Sequence, residues 1–161
     1  MNKMTPLIKG VITGVLMVIL TLLLFYSKQP ANTPLQFLAY PIYAGGIMWT
    51  LISYSRSPDF TGRFPGLFGR GFRCFIMVTL IMVVFTGVFS VMHPEFSEEA
   101  ATYYRESLLK DHNKTPAEIE ELVSGVKKQY TTGVVSITIF RYLIIGALFT
   151  AAGSGILMKR K

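Results

Sequence analysis

The chain has 161 residues, 51% of them hydrophobic and only 16% charged, where soluble domains carry about a quarter charged residues. With a mean hydropathy of +0.45, this composition excludes a polar disordered chain and implies that part of the solvent is lipid. The length suits a single domain, and the lone Cys74 excludes an internal disulfide framework. The net charge of +7 is compatible with nucleic acid or with anionic lipid, and the placement of the basic residues decides between them.

About 20 mostly apolar residues in a helix cross a bilayer core roughly 30 Å thick. In chain order, the stretches at about 7–26, 35–54, 72–92 and 133–158 meet that requirement. They are apolar all round, without the polar face of a soluble helix. They also carry Gly10, Gly14, Gly45, Gly46 and Gly87, which membrane helices tolerate. The first stretch is expected to be retained, because Phe25-Tyr26-Ser27-Lys28-Gln29-Pro30 offers no small-x-small cleavage site. Gly10-x3-Gly14 and Ala147-x3-Ala151-x3-Gly155 permit close helix approach, expected here to serve packing within the chain. Cys74, at the edge of the third stretch, reads as a small packing residue.

Between the second and third stretches, phenylalanines fall at 60, 64, 68 and 72 and arginines at 56, 63, 70 and 73. Rings at the acyl boundary with arginines among headgroups make an interfacial elbow, so Arg56, Arg63, Arg70, Arg73, Phe64 and Phe68 are candidate lipid-headgroup contacts. Pro65 with Gly66, Gly69 and Gly71 argues against one continuous helix there. No Gly-Lys-Ser/Thr follows the glycines, so nucleotide binding has no support.

Residues 93–132 are polar and hold eight of the nine acids. Ser97, followed by Glu98 and Glu99, is expected to cap one helix carrying Phe96, Ala100, Tyr103, Tyr104 and Leu108. A break follows at Asp111-His112-Asn113-Lys114. Thr115-Pro116-Ala117-Glu118 then forms a capping box with proline at the first helical position. Ile119, Leu122, Val123, Val126 and Tyr130 make an apolar stripe behind it, either buried within the hairpin or exposed as a partner surface. The expected fold is all-α: a four-helix transmembrane bundle over 1–161 with an extracytoplasmic amphipathic hairpin between spans three and four.

Short cytoplasmic loops are enriched in Lys and Arg. One side of the expected bundle holds Lys3, Lys9, Arg56, Arg63, Arg70, Arg73, Lys159, Arg160 and Lys161 against Asp59 alone, a net of +8. The other holds Lys28, Arg105, Lys110, Lys114, Lys127 and Lys128 against eight acids, a net of −2. Both termini are therefore expected in the cytoplasm. Because the basic residues sit at helix ends, the bilayer is the expected partner and nucleic acid is not.

Candidates for chemistry are few. His93 lies near Glu95, Glu98 and Glu99, but with no His-x3-His spacing and no second cysteine, neither a metal nor another cofactor is expected. Arg141 is the one charge inside the fourth stretch, roughly 12 Å below a helix start at Gly133. Intramembrane arginine often marks a functional position. It would snorkel to headgroups, pair with Glu95, or contact a substrate anion. No carboxylate lies within the four stretches to form a proton relay, and no nucleophilic constellation indicates an enzyme.

The order of features from Gly71 onward is informative: Gly71-Phe72-Arg73 opens span three, Pro94-Glu95-Phe96 closes it, an acidic helical segment follows, and Lys159-Arg160-Lys161 ends span four. In this the chain resembles a bacterial family catalogued as domain of unknown function 4199. The resemblance implies a small four-span inner-membrane protein with a long third loop and brings no catalytic residues with it. The expected role is a non-enzymatic assembly or accessory component of the cell envelope, associating with itself or with another envelope protein through the hairpin. The alternative is an oligomeric channel or transporter component with Arg141 at an anion or pore site. Alkaline phosphatase fused after Lys161 should be inactive and the same fusion after Lys114 active; the reverse pattern would overturn the orientation.

Overall fold

The computed structural model describes residues 4–27, 37–110 and 114–158, and every regular element among them is helical. There are five α-helices: α1 (Pro6–Tyr26), α2 (Ala39–Ser55), α3 (Phe64–Met92), α4 (Glu95–Lys110) and α5 (Pro116–Met158). The expected break at 111–113, His112, Lys28, Lys3 and the basic residues 159–161 lie outside the described residues.

Local chemistry explains most of the boundaries. The Thr5 hydroxyl accepts the Ile8 N–H at 3.3 Å and Pro6 opens α1, so two features of a helix start coincide. α2 ends where Arg56 caps it, and the chain turns through Gly62, whose φ of 71° suits a residue without a side chain. α3 then begins at Phe64, eight residues before the expected start of the third span. Pro65 falls in its first turn, where a missing N–H costs no hydrogen bond. The cost of about 1 kcal/mol per helical glycine at Gly66, Gly69 and Gly71 does not break it.

Two further expectations are corrected. Ser97 does not cap α4, which starts at Glu95; its hydroxyl donates to the Pro94 carbonyl at 2.8 Å inside the first turn. The capping box forms as read, with Thr115 N–H donating to Glu118 Oε2 at 2.8 Å and Glu118 N–H to Thr115 Oγ1 at 3.4 Å. The helix it opens runs for 43 residues without a stop near Gly133, so the second amphipathic helix and the fourth apolar stretch are one element. A single glycine is too weak a breaker to interrupt it, and no proline follows.

The length suited to one domain divides into two compact units, Met1–Met82 with Ile139–Lys161, and Val83–Thr138. In the first unit α1 and α2 are antiparallel, with Lys9 beside Trp49 and Thr13 beside Gly46. α1 and α3 run in the same direction: a Cβ built on Gly10 would lie 2.7 Å from the Cys74 carbonyl oxygen, and one on Gly14 would lie 2.8 Å from Ile81 Cδ1. α5 opposes α3, with Gly71 against Thr150 and Gly146 against Phe75 and Tyr43. Small residues thus let the backbones approach as they do in lipid, where dispersion and close packing drive association. On α5 the close contacts use Gly146, Thr150 and Gly153, whereas Gly155 of the expected pattern faces open space.

The exterior of this unit is apolar and its interior partly polar. Leu7, Val11, Val15, Ile19 and Leu23 of α1 are exposed, while Lys9, Thr13, Thr50, Thr79, Thr150 and Ser154 are buried. α1, α3 and α5 are each long and apolar enough to cross a membrane. Together these features mark a helical membrane protein; α2, with 17 residues, spans about 26 Å.

In the second unit the end of α3, α4 and the first part of α5 lie together. Arg105 pairs with Glu120, and Lys127 with Glu98 at 2.9 Å, so α4 and α5 are antiparallel and in one register. Ala101, Leu108 and Ile119 are buried. α3 also opposes α5 here, with Ser90 Oγ donating to Thr131 Oγ1 at 3.4 Å.

Gly46→Val and Gly146→Val should each lower the thermal unfolding midpoint of the detergent-solubilised protein, costing about 1–3 kcal/mol by overpacking. Gly45→Ala and Gly155→Ala, with nothing within 4 Å of the new methyl, should match or slightly exceed the parent. Equal loss at all four positions would refute the packing described.

Candidate functional site

Buried polar groups in the first unit come from all of its helices. Lys9 is 6% exposed, and its ammonium lies 5.1 Å from the centroid of the Trp49 ring. Such a cation–π contact is worth about 0.5–2 kcal/mol and offsets part of the desolvation of the charge. Lys9 is thus buried beside α2 rather than standing free at a helix end. Beside it, Cys74 is fully buried with Sγ 3.8 Å from the Gly46 carbonyl oxygen, as befits a small packing residue. Tyr43 donates to the Tyr142 carbonyl at 2.9 Å, and their rings meet edge to face at 5.4 Å. The hydroxyls of Thr13, Thr21, Thr50 and Thr79 donate to the carbonyl four residues earlier. Those of Thr150 and Ser154 are buried without a hydrogen-bond partner.

Arg141 does not point into this interior. It lies on the exposed face of α5, and its Nη1 donates to Tyr40 Oη at 3.4 Å. The Glu95 carboxylate, a partner expected for it, instead accepts from His93, with Nδ1 and Oε1 2.6 Å apart. The carboxyl of Glu95 is held below the usual carboxylate range, first by its own backbone N–H and then by the His93 ring. His93 stacks near Phe89, at 4.5 Å between ring centroids, and closes the turn into α4. Among the described residues no three His, Cys, Asp or Glu side chains are grouped so as to hold a metal ion.

The elbow residues share the start of α3 and the preceding turn. Phe64 and Phe68 stack at 5.6 Å, Arg70 lies 4.7 Å over the Tyr54 ring, and Phe60 tucks against the same tyrosine at 5.6 Å. Arg56, Arg63 and Arg73, from the same stretch, are all exposed. Because the segment from Phe64 is helical, the phenylalanines at 64, 68 and 72 form one ladder on its side, as their four-residue spacing requires.

On the hairpin, Ile119 is buried against the hairpin itself, Val123, Val126 and Tyr130 are half-buried, and Leu122 is marginally exposed. The outward surface is instead a face of α4 formed by Glu95, Glu98, Glu99, Thr102, Tyr103 and Glu106, around a shallow concavity of about 430 Å³. Tyr103, one of its lining residues, is 77% exposed.

A family model described as "Protein of unknown function (DUF4199)" matches residues 9–159. The chain belongs to this family. No curated protein and no solved structure matches it.

In this DUF4199 chain, two groupings escaped the sequence: Lys9 over Trp49, and Tyr40 beside Arg141. Each joins residues far apart in the chain, and only the register of packed helices brings them together. The α4 face was partly legible, since Glu95, Glu98, Glu99, Thr102 and Glu106 recur at helical spacing. A depressed Glu95 carboxyl contributes stability that is present at neutral pH and lost as pH falls through its folded value, below the usual midpoint of about 4.3. Carboxyl-detected NMR should show that lowered midpoint and its rise in His93→Ala; an unchanged midpoint in the variant would remove His93 as a cause.

Proposed function

We propose that this chain is a non-enzymatic accessory or assembly component of the bacterial cell envelope. In this reading it is a four-span inner-membrane protein with cytoplasmic termini whose extracytoplasmic hairpin recognises another envelope protein. Support for the fourth span comes from α2, which lies antiparallel to α1 and parallel to α5 in the first unit. Its length of about 26 Å approaches the bilayer core, and tilt or snorkelling accommodates the small mismatch. The four arginines against one aspartate at 56–73 support the orientation.

The observation that carries the recognition role is the division of labour within the hairpin. Its apolar stripe is largely used in closure, with Ala101, Leu108 and Ile119 inside. The α4 face remains open, presenting Glu95, Glu99 and Glu106 around Tyr103. An exposed tyrosine among carboxylates matches a partner that offers Lys or Arg side chains: the aromatic ring supplies contact area and the acids steer association. In this reading the partner surface is this face rather than the Ile119–Tyr130 stripe.

Purification from native membranes in mild detergent tests the reading. Wild type should elute with a second protein. Glu99→Lys with Glu106→Lys should reduce the co-purifying amount at least about tenfold, as like charges replace complementary ones. The unfolding midpoint of the bundle should not move. A wild-type preparation containing the chain alone, or a variant that retains its partner in full, would defeat the proposal.

A further inference from the structure

We propose that Arg141 and Tyr40 bind the phosphate of a phospholipid in the leaflet opposite the Arg56–Arg73 loop. The inference rests on α2 and α5 crossing the bilayer and is independent of the hairpin's role.

The depth of the pair follows from the helix register. Thr13 of α1 faces Gly46 of antiparallel α2. Tyr40 is six residues from Gly46 along α2, a rise of about 9 Å. The same rise along α1 from Thr13 reaches the neighbourhood of Ile19, leaving about 10 Å before α1 ends at Tyr26. The pair therefore lies in the half of the bilayer opposite the Arg56–Arg73 loop, about 10 Å short of the end of α1 and in the first turn of α2.

Arg141 is on the exposed side of α5 at this level, flanked by Ile137, Phe140 and Ile144, with exposed Leu148 one turn further on. Its surroundings are lipid rather than protein. A guanidinium carries five N–H donors. Among the described residues one of these is satisfied, by Tyr40 Oη, and no carboxylate pairs with the group. The phenol, accepting that bond, still has its own proton to donate. Donors left unsatisfied in hydrocarbon cost several kcal/mol, so an acceptor must come from the surrounding phase.

The anionic acceptor that lipid provides is the phosphodiester, and a guanidinium with an adjacent phenol matches it in charge and donor geometry, which the neutral ester carbonyls do not. The neighbouring side chains match the remainder of the molecule. From Arg141, α5 runs towards the bilayer centre through exposed Ile144 and Leu148. Acyl chains extend in the same direction from a phosphate held at Arg141. Cation above and apolar track below follow the polarity of a phospholipid in that leaflet, an arrangement a free anion would not use.

Delipidated protein in detergent, titrated with phosphatidylglycerol and read by native mass spectrometry, tests the proposal. Wild type should bind one phosphatidylglycerol at least about tenfold more tightly than Arg141→Leu, the loss expected for a charge-assisted hydrogen-bonded contact. Tyr40→Phe should weaken binding by a smaller factor, and Arg141→Lys should fall between wild type and Arg141→Leu. Diacylglycerol with the same chains should bind wild type and Arg141→Leu alike. Equal phosphatidylglycerol binding by wild type and both Arg141 variants overturns the proposal. Displacement of the lipid by millimolar inorganic phosphate also overturns it, in favour of a free-anion site. If Arg141→Leu fails to fold, as judged by its elution and unfolding midpoint, Tyr40→Phe and Arg141→Lys still decide. Because Cys74 is buried, single cysteines introduced at Phe37 and at Ser57 report sidedness by maleimide labelling. Labelling of both from one side would refute the span itself, separately from lipid binding.

Discussion

The close approach of α2 to α1, where Gly46 meets Thr13, sets the position of most other groups in the first unit. In lipid the apolar effect does not separate helix–helix from helix–lipid contact, so association depends on how near two backbones can come. The absent side chain at Gly46 admits the Thr13 side chain. That threonine adds little polar cost because its hydroxyl returns to the Lys9 carbonyl at 2.8 Å. With α2 seated at this depth, Trp49 lies under the Lys9 ammonium and the Gly46 carbonyl lies near Cys74. Tyr43 then reaches the Tyr142 carbonyl, and Tyr40 stands beside Arg141. A displacement of α2 by one turn, about 5.4 Å, would separate every one of these pairs.

The second unit is held by ion pairs, a capping box and partial burial. Exposed ion pairs such as Arg105–Glu120 and Lys127–Glu98 contribute roughly 0–1 kcal/mol each, so they select a register more than they supply stability. Burial of Ala101, Leu108 and Ile119 contributes more. The capping box at Thr115 fixes where α5 starts. A helix stabilised by caps and partial burial at one end, and all-round apolar at the other, has no reason to stop between them. That continuity makes α5 43 residues long.

Both proposed contacts follow from what each unit leaves uncovered. In the first, an arginine on an apolar exterior retains donors with no acceptor among the described residues beyond Tyr40. In the second, closure of an apolar stripe leaves an acidic face with an exposed tyrosine.

Much of the architecture was legible in the residues. All-round apolar stretches identify helices with lipid around them, and Thr115-Pro116-Ala117-Glu118 marks the start of α5 because its hydrogen bonds are local. The family, too, was legible in the order of Gly71-Phe72-Arg73 and Pro94-Glu95-Phe96. Helix ends were less so: Pro65, read as a breaker, occupies the first turn of α3, and Gly133, read as a boundary, lies within α5. Both errors have one source, since a breaker's effect depends on whether the neighbouring turns already form hydrogen bonds. The burial of Lys9, the exposure of Arg141 and its pairing with Tyr40 were decided only by the tertiary structure. Periodicity places a residue on a face of its own helix, but which face meets protein and which meets lipid depends on how the helices pack.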